Sequence, residues 1–202
     1  MILNRDEIKN RIATGSLVVS PLLDPGQIGE IALDLRLGYN FIAAIHGRNP
    51  YIDASLNNGD RFPIASSFQD TRKLLGESFL LHPNQTVLTN TLEYLKLPND
   101  VYADLTMRSS YLRLGLSISA IVQPGYCGCF SLELTNVNKV AINLTIGAPL
   151  IQARFFQLSE KCNYFSKPRK YMCQVRPVVS AVNEDSDLVK LNRIWKANNH
   201  IT

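Results

Sequence analysis

Residues 130–136 read F-S-L-E-L-T-N, and this stretch indicates the fold class. Phe130, Leu132 and Leu134 alternate with polar side chains, which is the period-two pattern of a half-buried β-strand. Glu133 falls on the polar face of this strand. A carboxylate in such a position most often faces only solvent, so a functional role for Glu133 depends on the residues that precede the strand.

Short stretches with strand character recur along the chain, separated by clusters of Gly, Pro, Asn and Asp. Residues 4–15 have the spacing of an amphipathic helix that stops at Gly15, and residues 57–77 read as a polar, irregular insertion loop. The pattern predicts a mainly β protein, a double-sheet sandwich or jelly roll with an N-terminal helix. The predicted strands are residues 31–37, 40–44, 79–81, 85–95, 102–105, 116–122, 130–136, 141–146 and 150–158.

Residues 108–115 read R-S-S-Y-L-R-L-G. If they form a helical turn, Ser109 and Arg113 project from one face, while Leu112 and Leu116 turn toward the core. The commoner meaning of an isolated R-S-S is a serine N-cap beside a solvated arginine. The alternative is a small anionic ligand, since unpaired N–H groups at a helix start favour phosphate oxygens.

A tight turn is expected at residues 123–126, which read Q-P-G-Y. Pro124 presets one dihedral angle, and Gly125 supplies the positive φ that a type II turn requires. A helix, a strand, this turn and a further strand would return Glu133 toward Arg113. Two arginines, two hydroxyls and one carboxylate could then meet a phosphorylated ligand.

Composition is that of a single globular domain. The chain has 202 residues, of which 46% are hydrophobic, enough for a good core. It has no apolar run of about 18 residues for a membrane span, and its first residues lack the apolar centre of a signal peptide, so we expect a cytoplasmic protein. A net charge of +4 does not favour nucleic acid. The basic cluster at residues 161–169 is either a solvated surface or a lid that reaches phosphates.

Four motifs together resemble the dCTP deaminases, which share their fold with the trimeric dUTPases. The similarity extends in order through residues 1–187 and implies the distorted jelly roll of the dUTPases. It implies one domain over residues 1–187 with a C-terminal lid at about 160–187, followed by an extension at 188–202. Apolar residues at helical spacing predict a short docking helix in that extension. The four motifs are R-S-S-Y-L-R-L-G-L at 108–116, P-G-Y-C-G at 124–128, L-E-L-T-N at 132–136 and G-A-P-L-I-Q-A at 147–153.

The resemblance implies hydrolytic deamination of dCTP to dUTP and ammonia. Glu133 matches the family's catalytic glutamate, which transfers the protons. Ser109 and Arg113 match the serine and arginine that position the water and the base. Arg108 and Ser110 resemble phosphate contacts that reach in from the neighbouring subunit of a homotrimer or of a dimer of trimers.

The tail carries three further matches. Tyr164, Lys170 and Gln174 fall near the spacing of the family's ligand-covering segment, in which the tyrosine stacks or hydrogen-bonds and the lysine meets the triphosphate. Closing a basic lid would exclude water that weakens each charge contact, although an ordinary basic tail is the alternative. The family also implies Mg²⁺ bound through the triphosphate, without protein side-chain ligands.

No zinc is expected. Zinc-dependent nucleobase deaminases need an H-x-E and a P-C-x-x-C motif, and the sequence has neither. His46, His82 and His200 are each isolated. The cysteines lack C-x-x-C spacing, so we expect free thiols. They are Cys127, Cys129, Cys162 and Cys173.

Gln123 departs from the family pattern. Deaminases and dUTPases usually carry an aspartate before this proline, where it reads the 3′-hydroxyl or, in dUTPases, activates water. An amide can bond a hydroxyl but cannot take a proton. Residues 117–122 also form a shorter segment than usual and lack the usual threonine-alanine step. Three functions stay open: a dCTP deaminase, a dUTP pyrophosphatase alone or coupled to deamination, and a nucleotide-binding or regulatory homologue without turnover.

Overall fold

The computed structural model describes residues 1–45, 51–54, 63–118 and 120–199. The helices are α1 (Arg5–Ala13), α2 (Ser109–Leu112) and α3 (Ser186–Asn199). No helix within the described ranges is long and apolar enough to cross a membrane. The strands are β1 (Val18–Ser20), β2 (Leu33–Arg36), β3 (Asn40–Ala44), β4 (Phe68–Arg72), β5 (Ser78–Leu81), β6 (Thr86–Lys96), β7 (Val101–Met107), β8 (Leu116–Ser117), β9 (Ala120–Val122), β10 (Cys127–Asn136), β11 (Ile142–Thr145) and β12 (Pro149–Gln157).

Two antiparallel sheets share one apolar core. The first has the order β4-β3-β6-β10-β8, with β1 also paired to β6, and the second has the order β2-β12-β7-β9. A separate ladder joins β5 to β11. Fully buried side chains from both sheets, among them Leu35, Val87, Leu132 and Phe155, belong to a single cluster. This is the mainly β, double-sheet fold that the strand pattern predicts.

Helix α1 begins after Asn4, whose side chain caps the helix N-terminus. The Asn4 side chain accepts a hydrogen bond from the Glu7 backbone N–H, and the Glu7 carboxylate accepts one from the Asn4 backbone N–H, which is a capping box. Ile8 is buried, and Gly15 follows the helix with a φ of 71°. The predicted helix and its glycine stop are therefore confirmed.

Two predictions of local structure are wrong. The expected loop at residues 57–77 contains strand β4, an edge strand whose side chains are largely exposed, so no buried alternation marked it. Residues 57–62 lie outside the described residues. The expected strand at 116–122 is two short strands that belong to different sheets, because β8 pairs with β10 whereas β9 pairs with β7. The chain therefore crosses between the sheets here.

The pairing of β6 with β10 contains an irregularity. Cys129 pairs with Tyr94 but Ser131 pairs with Asn90, so β6 carries extra residues between these two pairs. The Thr91 hydroxyl accepts a hydrogen bond from the Phe130 backbone at 2.9 Å. The hydroxyl thus satisfies a backbone N–H that has no carbonyl partner at this point of the β6–β10 pairing.

Glu93 ties this irregularity to the opposite sheet. It is fully buried, and its carboxylate accepts hydrogen bonds from Gln27 Nε2 at 3.0 Å and from the Arg36 backbone N–H at 2.9 Å. Burial raises the pKa of Glu93, and these hydrogen bonds oppose the shift. The buried carboxylate thereby connects β6, β2 and the turn at Pro25–Gln27.

We predict that Glu93→Ala lowers the free energy of unfolding by about 2–3 kcal/mol, because buried donors lose their acceptor. Urea denaturation measures this change. Glu30→Ala is the matched control: Glu30 forms an exposed ion pair with Arg5, so its loss should cost less than about 0.5 kcal/mol. Equal effects of the two substitutions would contradict the role of Glu93.

Candidate active site

Glu133 lies in the middle of β10 on its exposed face. Phe130, Leu132 and Leu134 are each 1% exposed, whereas Glu133 is exposed and lies opposite Leu88 of β6. The predicted polar face of this strand is confirmed. Within the described part of the chain, the Glu133 side chain forms no hydrogen bond or ion pair, so its carboxylate can accept a proton or a ligand.

Glu133 lines two adjoining cavities. The turn cavity, of about 530 Å³, lies between β9, the turn after it and the C-terminal tail. The loop cavity, of about 1060 Å³, lies between β10, β6 and residues 82–86. Ser131 and Tyr171 also line both cavities. Of the predicted site residues, the structure brings Gln123, Tyr164 and Lys170 to the turn cavity and Gln174 to the loop cavity.

The turn before β10 has the predicted geometry. The Tyr126 backbone N–H donates to the Gln123 carbonyl at 3.2 Å, and Gly125 has a φ of 76°. The Tyr126 hydroxyl donates to the Cys129 carbonyl at 2.8 Å, and burial raises the pKa of this tyrosine. Tyr126 is therefore a neutral wall of the turn cavity.

The C-terminal tail is seated directly on β10. The Cys129 backbone N–H donates to the Gln174 carbonyl at 2.7 Å, and the Ser131 hydroxyl donates to Gln174 Oε1 at 3.0 Å. Gly128 has no room for a side chain, because a Cβ there would overlap the Gln174 carbonyl oxygen. Gln174 is thus held on the same face of β10 as Glu133.

The tail also brings cations to the turn cavity. Lys170 forms an ion pair with Asp185 at 3.2 Å, and the Arg169 guanidinium lies over the Tyr164 ring at 4.4 Å. Sequence reasoning did not single out Arg169, Tyr171 or Ser131. Arg169 belongs to the basic cluster at residues 161–169, but no spacing distinguished it from the other basic residues.

Helix α2 is a single turn. The Arg113 backbone N–H donates to the Ser109 carbonyl at 3.0 Å, so these two residues are one turn apart, as predicted. Leu116 is fully buried, but Leu112 is 57% exposed, so the prediction that Leu112 faces the core is wrong. Tyr111 packs against the core in its place.

The two serines of α2 and Arg113 are exposed, whereas the neighbouring Arg108 already has partners within the chain. Arg108 is held by Asp34, with 3.4 Å between Nε and Oδ2, and donates to the Pro149 carbonyl at 3.3 Å. Ser109, Ser110 and Arg113 are exposed and have no side-chain polar partner among the described residues.

Within one chain, α2 lies away from Glu133. Among the described residues, those that line the two cavities do not include Arg108, Arg113 or any residue of α2. The strand after α2 pairs with Thr135 and Asn136 at the far end of β10, which leaves α2 beyond that end. The expected return of Glu133 toward Arg113 is wrong for a single chain, because the strand before the turn, β9, pairs with β7 in the other sheet, and β8 pairs only with the far end of β10. Contact through a neighbouring copy stays a prediction.

Helix α3 follows the tail. A helix does occupy most of the predicted extension, but Leu191, Ile194 and Trp195 are about 60% exposed. Its docking surface therefore stays a prediction. Among the described residues, no three His, Cys, Asp or Glu side chains converge as a metal site.

The candidate site is thus an exposed carboxylate on a strand of a double-sheet β-protein, without a partner among the described residues and covered by a basic tail. The chain matches the dCTP deaminase-like family over residues 2–158, and it belongs to that family.

Relatives match along nearly the whole chain. A "dCTP deaminase, dUMP-forming" of Dictyoglomus thermophilum is 37% identical over 92% of this chain and 96% of that protein. A "dCTP deaminase" of Halorubrum lacusprofundi is 34% identical over 93% of this chain and 94% of that protein. The crystal structure of 2′-deoxycytidine 5′-triphosphate deaminase from Agrobacterium tumefaciens superposes with a TM-score of 0.57 at 23% identity. That alignment covers 76% of this chain and 47% of the other, and it supports the fold.

Proposed function

We propose that this protein catalyses the hydrolytic deamination of dCTP to dUTP and ammonia, with Glu133 as the group that transfers protons. The observation that carries the proposal is the placement of Glu133, an exposed carboxylate without a partner in the described structure, between two cavities beneath a basic tail. Family membership and the names of the relatives support the choice of substrate.

The reaction needs several proton transfers at one place. Water must lose a proton as it attacks C4 of cytosine, and the ring nitrogen must gain one. The hydroxyl then on C4 must lose a second proton as the carbonyl forms, and the departing amine must gain one to leave as ammonia. A single carboxylate can accept the first proton and deliver it onward. Glu133 suits this role because no residue of the described structure ties up its oxygens.

Glu133 alone does not complete the site. The attacking water and the developing tetrahedral centre need fixed polar partners, and the unpartnered Ser109 and Arg113 are the predicted ones. Since α2 lies beyond the end of β10, we infer that α2 of one copy meets Glu133 of the next. The assembly would be the homotrimer, or dimer of trimers, expected of this family.

The surface beside α2 supports this assembly. Leu112 and Leu114 are 57% and 49% exposed, and the neighbouring Val137 and Val140 are each 62% exposed. The Val137 backbone N–H donates to the Gly115 carbonyl at 2.8 Å, so the two pairs adjoin. Contiguous apolar side chains of this kind mark a surface that another chain covers.

The triphosphate would meet the remaining basic groups. Lys170 would exchange Asp185 for a phosphate as the tail closes, and Tyr164 would cover the nucleotide. Arg108 and Ser110 of the neighbouring copy would contact phosphate oxygens. Gln123 and Gln174 would hydrogen-bond the sugar and base. Such a nucleotide substrate fits a cytoplasmic enzyme.

Magnesium would arrive with the nucleotide. The described residues form no cluster of acidic, histidine or cysteine ligands, so the donor set fits an ion held by phosphate oxygens rather than by the protein. There the ion would neutralise charge on the triphosphate. The protein's own residues would bind the base and transfer the protons.

Glu133→Gln should lower ammonia release from dCTP by at least about 10³-fold, because an amide cannot take the water's proton. Binding of dCTP should change little. A coupled ammonia assay and calorimetric titration measure the two effects, with the exposed Glu160→Gln as the control. Unchanged turnover in Glu133→Gln would refute the mechanism, and wild-type protein that binds dCTP without releasing ammonia would identify a regulatory homologue.

A shared site predicts complementation between two inactive variants. Glu133→Gln and Arg113→Ala, co-expressed with different tags and purified as mixed trimers, should recover about one third of wild-type activity, because each mixed trimer contains one site with both groups intact. Each variant alone should be inactive, because every site then lacks one group. Mixed oligomers without activity would show that each site is built within one chain.

A second candidate is the coupled reaction that ends in dUMP and pyrophosphate. The names of several relatives favour it, including that of the Dictyoglomus thermophilum protein. Gln123 argues against it, because pyrophosphate release from dUTP requires a group that can activate a second water.

Gln123→Asp should therefore raise pyrophosphate release from dUTP by about ten-fold or more, since it restores a carboxylate at the turn. Phosphate detection after pyrophosphatase treatment measures the change, and Gln123→Asn is the isosteric control. Wild-type protein that releases pyrophosphate in step with ammonia would establish the dUMP-forming reaction instead.

A further inference from the structure

Two cysteines meet where the tail crosses β10. Cys127 begins β10 and Cys173 lies in the tail, 46 residues further on, yet their sulfur atoms are 2.7 Å apart. Both are free thiols. A disulfide bond is about 2.05 Å long, so only a small movement separates this contact from a covalent link.

The backbone holds the two cysteines in this position. The hydrogen bond from Cys129 to the Gln174 carbonyl fixes the tail one residue after Cys173, and the absence of a side chain at Gly128 permits the close approach. Cys173 has a φ of 51°, a left-handed conformation that few residues other than glycine adopt. Such a conformation persists only where the surrounding structure enforces it.

The surroundings suit a reversible thiol pair. Cys173 is exposed, so a small oxidant can reach it, whereas Cys127 is half-buried. The hydrogen bond to Cys127 raises the pKa of Cys173, so the Cys173 thiol is protonated at rest and reacts through a small thiolate fraction. No third ligand converges on the pair among the described residues, so the arrangement does not fit a metal site.

We propose that Cys127 and Cys173 form a reversible disulfide that locks the C-terminal tail over Glu133. The oxidant is a low-molecular-weight disulfide. One protein thiolate attacks it and releases a first small thiol, and the second protein thiolate then displaces the other. Each cysteine loses one electron and one proton, and the oxidant leaves as two reduced thiols.

The disulfide itself is tested without reference to catalysis. The full chain is treated with oxidised glutathione, and its thiols are counted before and after; tryptic peptides are mapped without reductant. We expect two of the four thiols to disappear and the peptide that begins at Tyr171 to remain linked to the peptide that contains Cys127. Cys162→Ser should behave like wild type, whereas Cys127→Ser and Cys173→Ser should form no internal link. Four surviving thiols, or a link through Cys129 or Cys162, would overturn the proposal.

The lock is tested on the folded protein. Oxidation should slow tryptic cleavage after Lys170 by about ten-fold, because the tail can no longer open, and reduction should restore the rate. The effect on turnover rests on the proposed function: dCTP deamination should fall by about ten-fold on oxidation in wild type and Cys162→Ser, but not in Cys173→Ser. A disulfide that leaves both rates unchanged would refute the lock. If neither the oxidised nor the reduced protein releases ammonia, the proposed function fails. The thiol counts and peptide maps then still test whether Cys127 and Cys173 form a disulfide.

Discussion

The site depends on how β10 pairs with β6. Extra residues in β6 interrupt this ladder, and the Thr91 hydroxyl bridges the interruption by accepting the Phe130 N–H. Glu93, buried within the same irregularity, anchors it to the opposite sheet. On one side of the interruption, β10 presents Glu133 to the cavities. The tail is seated across the interruption, since Gln174 accepts hydrogen bonds from Cys129 on one side of it and from Ser131 on the other. A shift of register here would move the carboxylate and the tail relative to each other.

The arrangement of charge is the basis for the shared site that we propose. Glu133 faces cavities whose basic groups come from a tail that is itself paired internally, since Lys170 bonds Asp185. Ser109 and Arg113 have no side-chain partner in the part of the chain that the structure describes, and they lie beyond the end of β10 beside exposed apolar side chains. A site divided as proposed would couple activity to assembly, because a dissociated chain would retain Glu133 but lose the Ser109 and Arg113 of its neighbour.

Much of the fold, and part of the candidate site, could be predicted from the sequence, because these features depend on the chemistry of adjacent residues. The alternation around Glu133, the Gln123–Tyr126 turn and the glycine stop of α1 each follow from a few adjacent residues. Strand β4 escaped prediction because an exposed edge strand has no buried face to mark it. The split at residues 116–122 escaped because strand character does not tell which sheet a strand joins. The contact of Cys127 with Cys173 depends on the path of the tail, and the spacing of the cysteines in the sequence does not reveal that path.

The most direct test is a crystal structure of the Glu133→Gln variant with dCTP and magnesium. The account predicts a nucleotide whose cytosine C4 faces residue 133 of one copy, while Ser109 and Arg113 of a neighbouring copy contact the same ligand and the tail of residues 164–174 covers it. A nucleotide bound by residues of one chain alone, with α2 of every copy facing solvent, would contradict the account.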